Sequence, residues 1–194
     1  MANNGRQFLT GAEVAVQAAI DAGAEMMYGY PITPATEVFT GWIKHGGKHL
    51  QTEDEIAAGF GVCGGVLAGQ KAFTATSGPG HILMQDSLSM AEGMRLPFVA
   101  IIAQRGGPSS GTVIYSQQEV ILACFGGNGE GFRFVYSPSN LAELYNFTRR
   151  AFNDAWHYRF PALVLTDGYM LKTKGVVVLP SNLLFIREGD GVFL

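Results

Sequence analysis

The sequence predicts an α/β fold of three layers, a mostly parallel sheet with helices on both faces. Short apolar segments at residues 26–30, 71–76, 97–103 and 161–166 alternate with stretches of helical period, the pattern of strand–helix–strand units. Two of them, PFVAIIA and PALVLT, are unbroken apolar runs, as strands buried on both sheet faces require. Polar or glycine-rich turns follow the strands, and in this class ligands bind beyond the strands' carboxyl ends.

Residues 11–22, with Val14, Ala18 and Ala19 on one side, read as a first helix that Thr10 can cap and Gly23 ends. A strand over 26–30 stops at Pro31-Ile32-Thr33-Pro34. Thr33 then stands as a cap with Pro34 in the first helical position, and the helix runs to about His45. Gly46 and Gly47 break it, and 48–51 form a brief strand. A helix over 53–69 opens on Glu53, Asp54 and Glu55 and continues in small apolar residues. The strand over 71–76 runs into the turn TSGPG, and 81–94 carry Ile82, Leu83, Leu88 and Met90 at helical spacing. After the strand at 97–103 comes the loop QRGGPSSG. Residues 116–125 read as helix, 132–136 as extended, 139–158 as a long helix with Ser139 as its candidate cap, and 161–166 as the last buried strand. The expected organisation is one domain over 1–170 and an irregular tail over 171–194, with 175–179 the one candidate for an extra strand.

The 194 residues carry a net charge of −3 and no Lys/Arg cluster, which argues against a nucleic-acid partner. No apolar run approaches the roughly 20 residues of a membrane span, and MANNGRQFLTG lacks the apolar core of a secretory signal. The expected location is cytoplasmic. With 26 glycines against 15% charged residues, part of the surface is expected to lie under partner subunits. Cys63 and Cys124 stand far apart without a CxxC pair, so no metal or iron–sulfur site is expected on this chain. Each cysteine reads as a small core residue. Of the four histidines, only His81, directly after the glycine turn, is set apart from surface or cap roles.

Five segments converge on one edge of the predicted sheet: Thr33, residues 53–55, 76–80, 105–110, and Asp167. Glu55 lies nearest the apolar part of its helix and is the acid expected to be buried and tuned for proton traffic. Acids in a first helical turn are also stabilised by the helix dipole alone. Arg105, between a buried strand and two glycines, can present a planar fork to a carboxylate or pair with a neighbouring acid. Thr33 can receive an anion or only cap. The TSGPG turn can cradle a phosphate but lacks the Walker and GxGxxG spacings.

Taken together, YPITPATE (30–37), EDEIAA (53–58), TATSGPG (74–80) and QRGGPSSG (104–111) resemble the alpha subunit of 2-oxoacid:ferredoxin oxidoreductases, in order across residues 11–167. The resemblance implies the pyrimidine-type domain of the thiamine diphosphate-binding fold over 1–170. Its glutamate, matched here by Glu55 with Ala58 and Gly64 as the small residues that follow, hydrogen-bonds the cofactor's aminopyrimidine ring and activates it. Thr33, Arg105 and Ser109 then face the substrate carboxylate, and Pro31, Ile32, Thr76, Ser77 and Gly78 the cofactor. The implied function is oxidative decarboxylation of a 2-oxoacid such as pyruvate or 2-oxoglutarate, with coenzyme A and ferredoxin as co-substrates. The diphosphate with Mg2+ and the iron–sulfur clusters are expected on a beta-type partner subunit. A gamma-type subunit and a dimer of hetero-oligomers are further expectations.

Residues 172–194 do not resemble the family's usual continuation, and TVIYSQQEV (112–120) departs from its more charged run, which leaves the substrate open. A truncated, non-catalytic assembly or regulatory paralogue is the competing reading. A flavodoxin-like phosphate binder is a third, resting on fold analogy and the TSGPG turn.

Overall fold

The computed structural model describes residues 6–179. A six-stranded sheet forms its middle layer, built from β2 (Met26–Gly29), β3 (Lys48–Gln51), β4 (Ala72–Thr76), β5 (Val99–Gln104), β6 (Phe134–Tyr136) and β7 (Ala162–Asp167). The strand order is β3-β2-β4-β5-β7-β6 and every pairing is parallel, as the sequence pattern predicts. All residues of β4, β5 and β7 are buried.

Alternation along these strands feeds two cores, one on each face of the sheet. Phe73 and Ala75 of β4, Val99, Ile101 and Ala103 of β5, and Ala162 and Val164 of β7 belong to one cluster. That cluster also takes the apolar faces of α1 (Gly11–Asp21), α2 (Thr36–Lys44) and α7 (Leu141–Tyr158). Phe73 meets Trp42 of α2 and Phe152 of α7 edge-on, at centroid distances of 5.0 and 5.7 Å. Ala100, Ile102, Leu163 and Leu165 face the opposite cluster. There they meet Ala58, Val62 and Cys63 of α3 (Glu55–Leu67), Leu88 and Ala91 of α5 (Gln85–Met94) and Ala123 of α6 (Val120–Phe125). Burial pushes the Cys63 thiol up to about 12, which makes it a core residue rather than a nucleophile.

Helix starts depart from the sequence reading in instructive ways. Thr10 caps α1 as expected, in a reciprocal box with Glu13. Thr33 does not cap α2: the Thr36 N–H donates to the Ile32 carbonyl, and the helix begins at Thr36 without a side-chain cap. Asn140 rather than Ser139 caps α7, because Ser139 is held by the Glu143 carboxylate. The expected helix over 81–94 divides at Met84 into α4 (Pro79–Leu83) and α5. The one over 116–125 is helical only from Val120.

Two elements were not legible at all. A strand β1 (Arg6–Thr10) pairs antiparallel with β8 (Lys174–Val178), a separate two-stranded sheet. β8 overlaps the one extra strand expected at 175–179. A short helix α8 (Gly168–Lys172) links β7 to it, capped by Asp167 through the Met170 N–H. Leu171, Val177 and Leu179 join the first core. The remainder of the expected tail, 180–194, lies outside the described residues.

Candidate active site

The carboxyl end of β4 and the N-terminus of α3 meet at Glu55. Asp54 caps α3 by accepting the Ala57 N–H at 2.8 Å, and Glu53 is exposed. Glu55 is the acid turned inward, only 4% exposed. A methyl group placed on Gly80 would lie 2.5 Å from Glu55 Oε1 and 2.2 Å from Thr76 Oγ1. The carboxyl therefore rests against the first turn of α4, at a place where only glycine fits. Glu55 Oε1, Thr76 Oγ1 and Ser77 Oγ are all buried without a hydrogen-bond partner. Such atoms cost stability and are rare in native proteins. Burial holds the Glu55 carboxyl above the ordinary value of 4.5; a hydrogen bond from its own backbone N–H opposes that, the Asp54 charge pushes upward and the Arg105 charge downward.

Arg105 follows β5 directly and is almost completely buried. Its Nη1 donates to the Thr33 carbonyl at 2.9 Å, and its Nε is buried without a partner. Gly78, at φ +49°, passes beside it, and a methyl group there would meet Nε at 2.7 Å. The guanidinium thus binds a backbone carbonyl rather than a neighbouring acid. Pro31 and Ile32 are half-buried, Thr33 and Ser109 exposed. Asp167 has the structural task of capping α8 and receiving the Gln117 amide.

One acid of this edge went unseen in the sequence. Glu119, 5% exposed, accepts the backbone N–H of Gly78 at 2.8 Å and of Arg105 at 2.9 Å on Oε1. Its Oε2 accepts from His81 Nδ1 at 2.8 Å; a carboxylate can only accept, so the ring proton sits on Nδ1. Its own N–H donates to Gln104 Oε1. One carboxylate therefore pins the TSGPG turn to the end of β5. His81 Nε2 is buried and unpartnered. The only signal in the sequence was an acid standing between polar QQ and apolar VILACF. Below this network opens a cleft of about 420 Å³, lined among others by Gly78, Ile82, Arg105, Pro108, Ser109 and Leu122. Among the described residues no cluster of three His, Cys, Asp or Glu side chains can hold a metal ion.

The family model described as "Pyruvate flavodoxin/ferredoxin oxidoreductase, thiamine diP-bdg" matches residues 17–188. The chain belongs to this family. It is 37% identical over 187 residues to the 2-oxoglutarate synthase subunit KorA of Methanocaldococcus jannaschii, covering 94% of this chain and 51% of the relative. Ketoisovalerate oxidoreductase subunit VorB of Methanothermobacter thermautotrophicus is 36% identical over 169 residues, 84% of this chain and 48% of that one. The solved structure of the 2-oxoglutarate:ferredoxin oxidoreductase from Magnetococcus marinus, with 2-oxoglutarate, coenzyme A and succinyl-CoA bound, superposes with a TM-score of 0.88 at 35% identity. That match covers 98% of this chain and 35% of the other. The chain spans about half the length of the curated relatives it matches.

Two measurements probe this geometry. Because the folded state raises the Glu55 pKa, it binds the proton more tightly than the unfolded chain. Its contribution is complete below the unfolded value and is lost as pH rises through the folded one. Glu55→Gln removes that loss, so the variant's urea midpoint gains on wild type progressively as pH rises above about 4.5. Glu119→Ala strands two buried N–H groups and an imidazole and lowers unfolding free energy by about 3 kcal/mol. Glu119→Gln, whose amide oxygen still accepts both N–H groups, costs less than half of that in the same urea titration.

Proposed function

We propose that this chain supplies the alpha-type part of a 2-oxoacid:ferredoxin oxidoreductase, with residues 1–170 as its pyrimidine-type thiamine diphosphate domain. The observation that carries the proposal is Glu55 Oε1, buried without a partner, with the hydroxyls of Thr76 and Ser77 likewise orphaned at the end of β4. Three polar atoms deprived of partners at one strand edge suit a bound polar ring that satisfies them. A non-catalytic module would have no use for them, and the family match favours the catalytic reading.

Thiamine diphosphate, when bound, supplies a nucleophilic carbon and an electron sink for loss of carbon dioxide. In this reading Glu55, kept protonated to higher pH by burial, holds a proton toward a ring nitrogen of the aminopyrimidine. Thr76 and Ser77 donate or accept around the same ring. The Gly78 turn, with Pro31 and Ile32, lets the backbone approach it closely. Arg105, oriented by the Thr33 carbonyl, presents its fork to the substrate carboxylate, with the Thr33 and Ser109 hydroxyls beside it.

The partners proposed are a beta-type subunit carrying the diphosphate, Mg2+ and iron–sulfur clusters, and a gamma-type subunit. Ferredoxin and coenzyme A are reached through that complex, a cytoplasmic dimer of hetero-oligomers. No described helix is long and apolar enough to cross a membrane. Exposed Ile82, Leu83, Ile121 and Phe125 on α4 and α6 suit coverage by a partner.

Glu55→Ala, assayed in the purified complex with a 2-oxoacid, coenzyme A and ferredoxin, lowers kcat by about a hundredfold or more, while native mass spectrometry finds the complex assembled. Turnover within a few-fold of wild type contradicts the proposal.

A further inference from the structure

His81 is a buried titratable side chain to which the proposed chemistry gives no task. It stands in the first turn of α4, on the same turn as Gly78, and is shut off from solvent. Its Nδ1–H donates at 2.8 Å to Oε2 of Glu119, whose other oxygen accepts the N–H groups of Gly78 and Arg105 at 2.8 and 2.9 Å. The last torsion of a glutamate side chain is broad. One oxygen that serves two loops therefore keeps both only if the carboxylate is stopped from turning. The imidazole is that stop, and it also supplies the hydrogen bond that a buried carboxylate needs on its second oxygen.

We infer that His81 is a positioning residue for substrate binding: through Glu119 it fixes the Arg105 fork and the Gly78 turn at the separation in which the fork receives the 2-oxoacid carboxylate. The inference rests on the alpha-type reading proposed above, in which Arg105 takes that carboxylate. The coupling runs along two routes. Glu119 holds the Arg105 backbone directly. It also holds Gly78, whose backbone passes so close to the guanidinium that a methyl group there would meet Nε at 2.7 Å. A shift of the turn therefore displaces the fork from the Thr33 carbonyl, its contact at 2.9 Å. Glu55 stands on α3 and Thr76 on β4, whereas the Glu119 bonds go to Gly78, His81, Arg105 and Gln104. Loss of the His81 bond thus weakens the hold on the substrate more than the proton chemistry at the cofactor ring, and its mark is a change in KM rather than kcat.

The test uses the complex purified with its partner subunits, at saturating thiamine diphosphate, coenzyme A and ferredoxin. The varied substrate is whichever of pyruvate, 2-oxoisovalerate and 2-oxoglutarate the wild-type complex turns over fastest. His81→Phe, which keeps a ring and removes the donor, raises KM about tenfold and leaves kcat within about threefold of wild type. His81→Asn, whose amide N–H stands where Nδ1–H does, brings KM back to within about threefold of wild type. In a Glu119→Ala background His81→Phe raises KM no further, because the path through Glu119 is already cut. If His81→Phe does not assemble, His81→Gln takes its place, with an amide one bond further out that misses Oε2. A KM that the donor-removing variant leaves unmoved, a kcat that falls as far as KM rises, His81→Asn as impaired as that variant, or an equal rise without Glu119 overturns the inference and leaves the alpha-type reading standing. A wild-type complex that turns over none of these acids overturns both.

Discussion

The structure turns on a carboxyl group taken out of water with one of its two oxygens, Glu55 Oε1, left without a partner. Removing Glu55 from solvent favours its protonated form and costs stability at neutral pH; its own backbone N–H and the Arg105 charge offset this only in part, and Oε1 has no partner. Everything around it keeps the group where it is. Asp54 takes the cap position and so fixes Glu55 as the first helical residue. Gly80 leaves the space, and the small residues Ala58 and Gly59 let α3 pack closely beneath. The proposed function gives that proton its use.

A second carboxylate does the opposite work. Glu119 is saturated with hydrogen bonds and joins two loops that the sheet brings side by side but does not bond together. The parallel register of β4 and β5 sets Thr76 opposite Ile102. The turn after one strand and Arg105 after the other therefore leave the sheet as neighbours, and Glu119 fixes their separation. Arg105 is held at both ends, by its backbone through Glu119 and by its guanidinium through Thr33. A side chain restrained in this way loses little entropy when it binds an anion.

The sheet was readable because burial on both faces leaves an unmistakable residue pattern: β4, β5 and β7 are buried at every position. Glu55 was distinguishable from Glu53 and Asp54 by its nearness to the apolar run. The remainder depends on contacts that local pattern does not encode. Glu119 finds its partners 14, 38 and 41 positions away. β1 becomes a strand only through β8, at the other end of the described chain. Thr33 and Ser139 were sound cap residues by propensity, and both were displaced by neighbours: a turn that starts α2 two residues later, and a carboxylate that claims the serine.

The central claim is that Glu55 keeps its proton for a bound aminopyrimidine ring. The most direct test is a structure of the whole complex with thiamine diphosphate, measuring the distance from Glu55 to the nearest ring nitrogen. The account predicts a hydrogen bond of about 2.6–3.0 Å, with the Thr76 and Ser77 hydroxyls also satisfied. A ring bound elsewhere, with Glu55 still unpartnered or more than about 4 Å away, would contradict it.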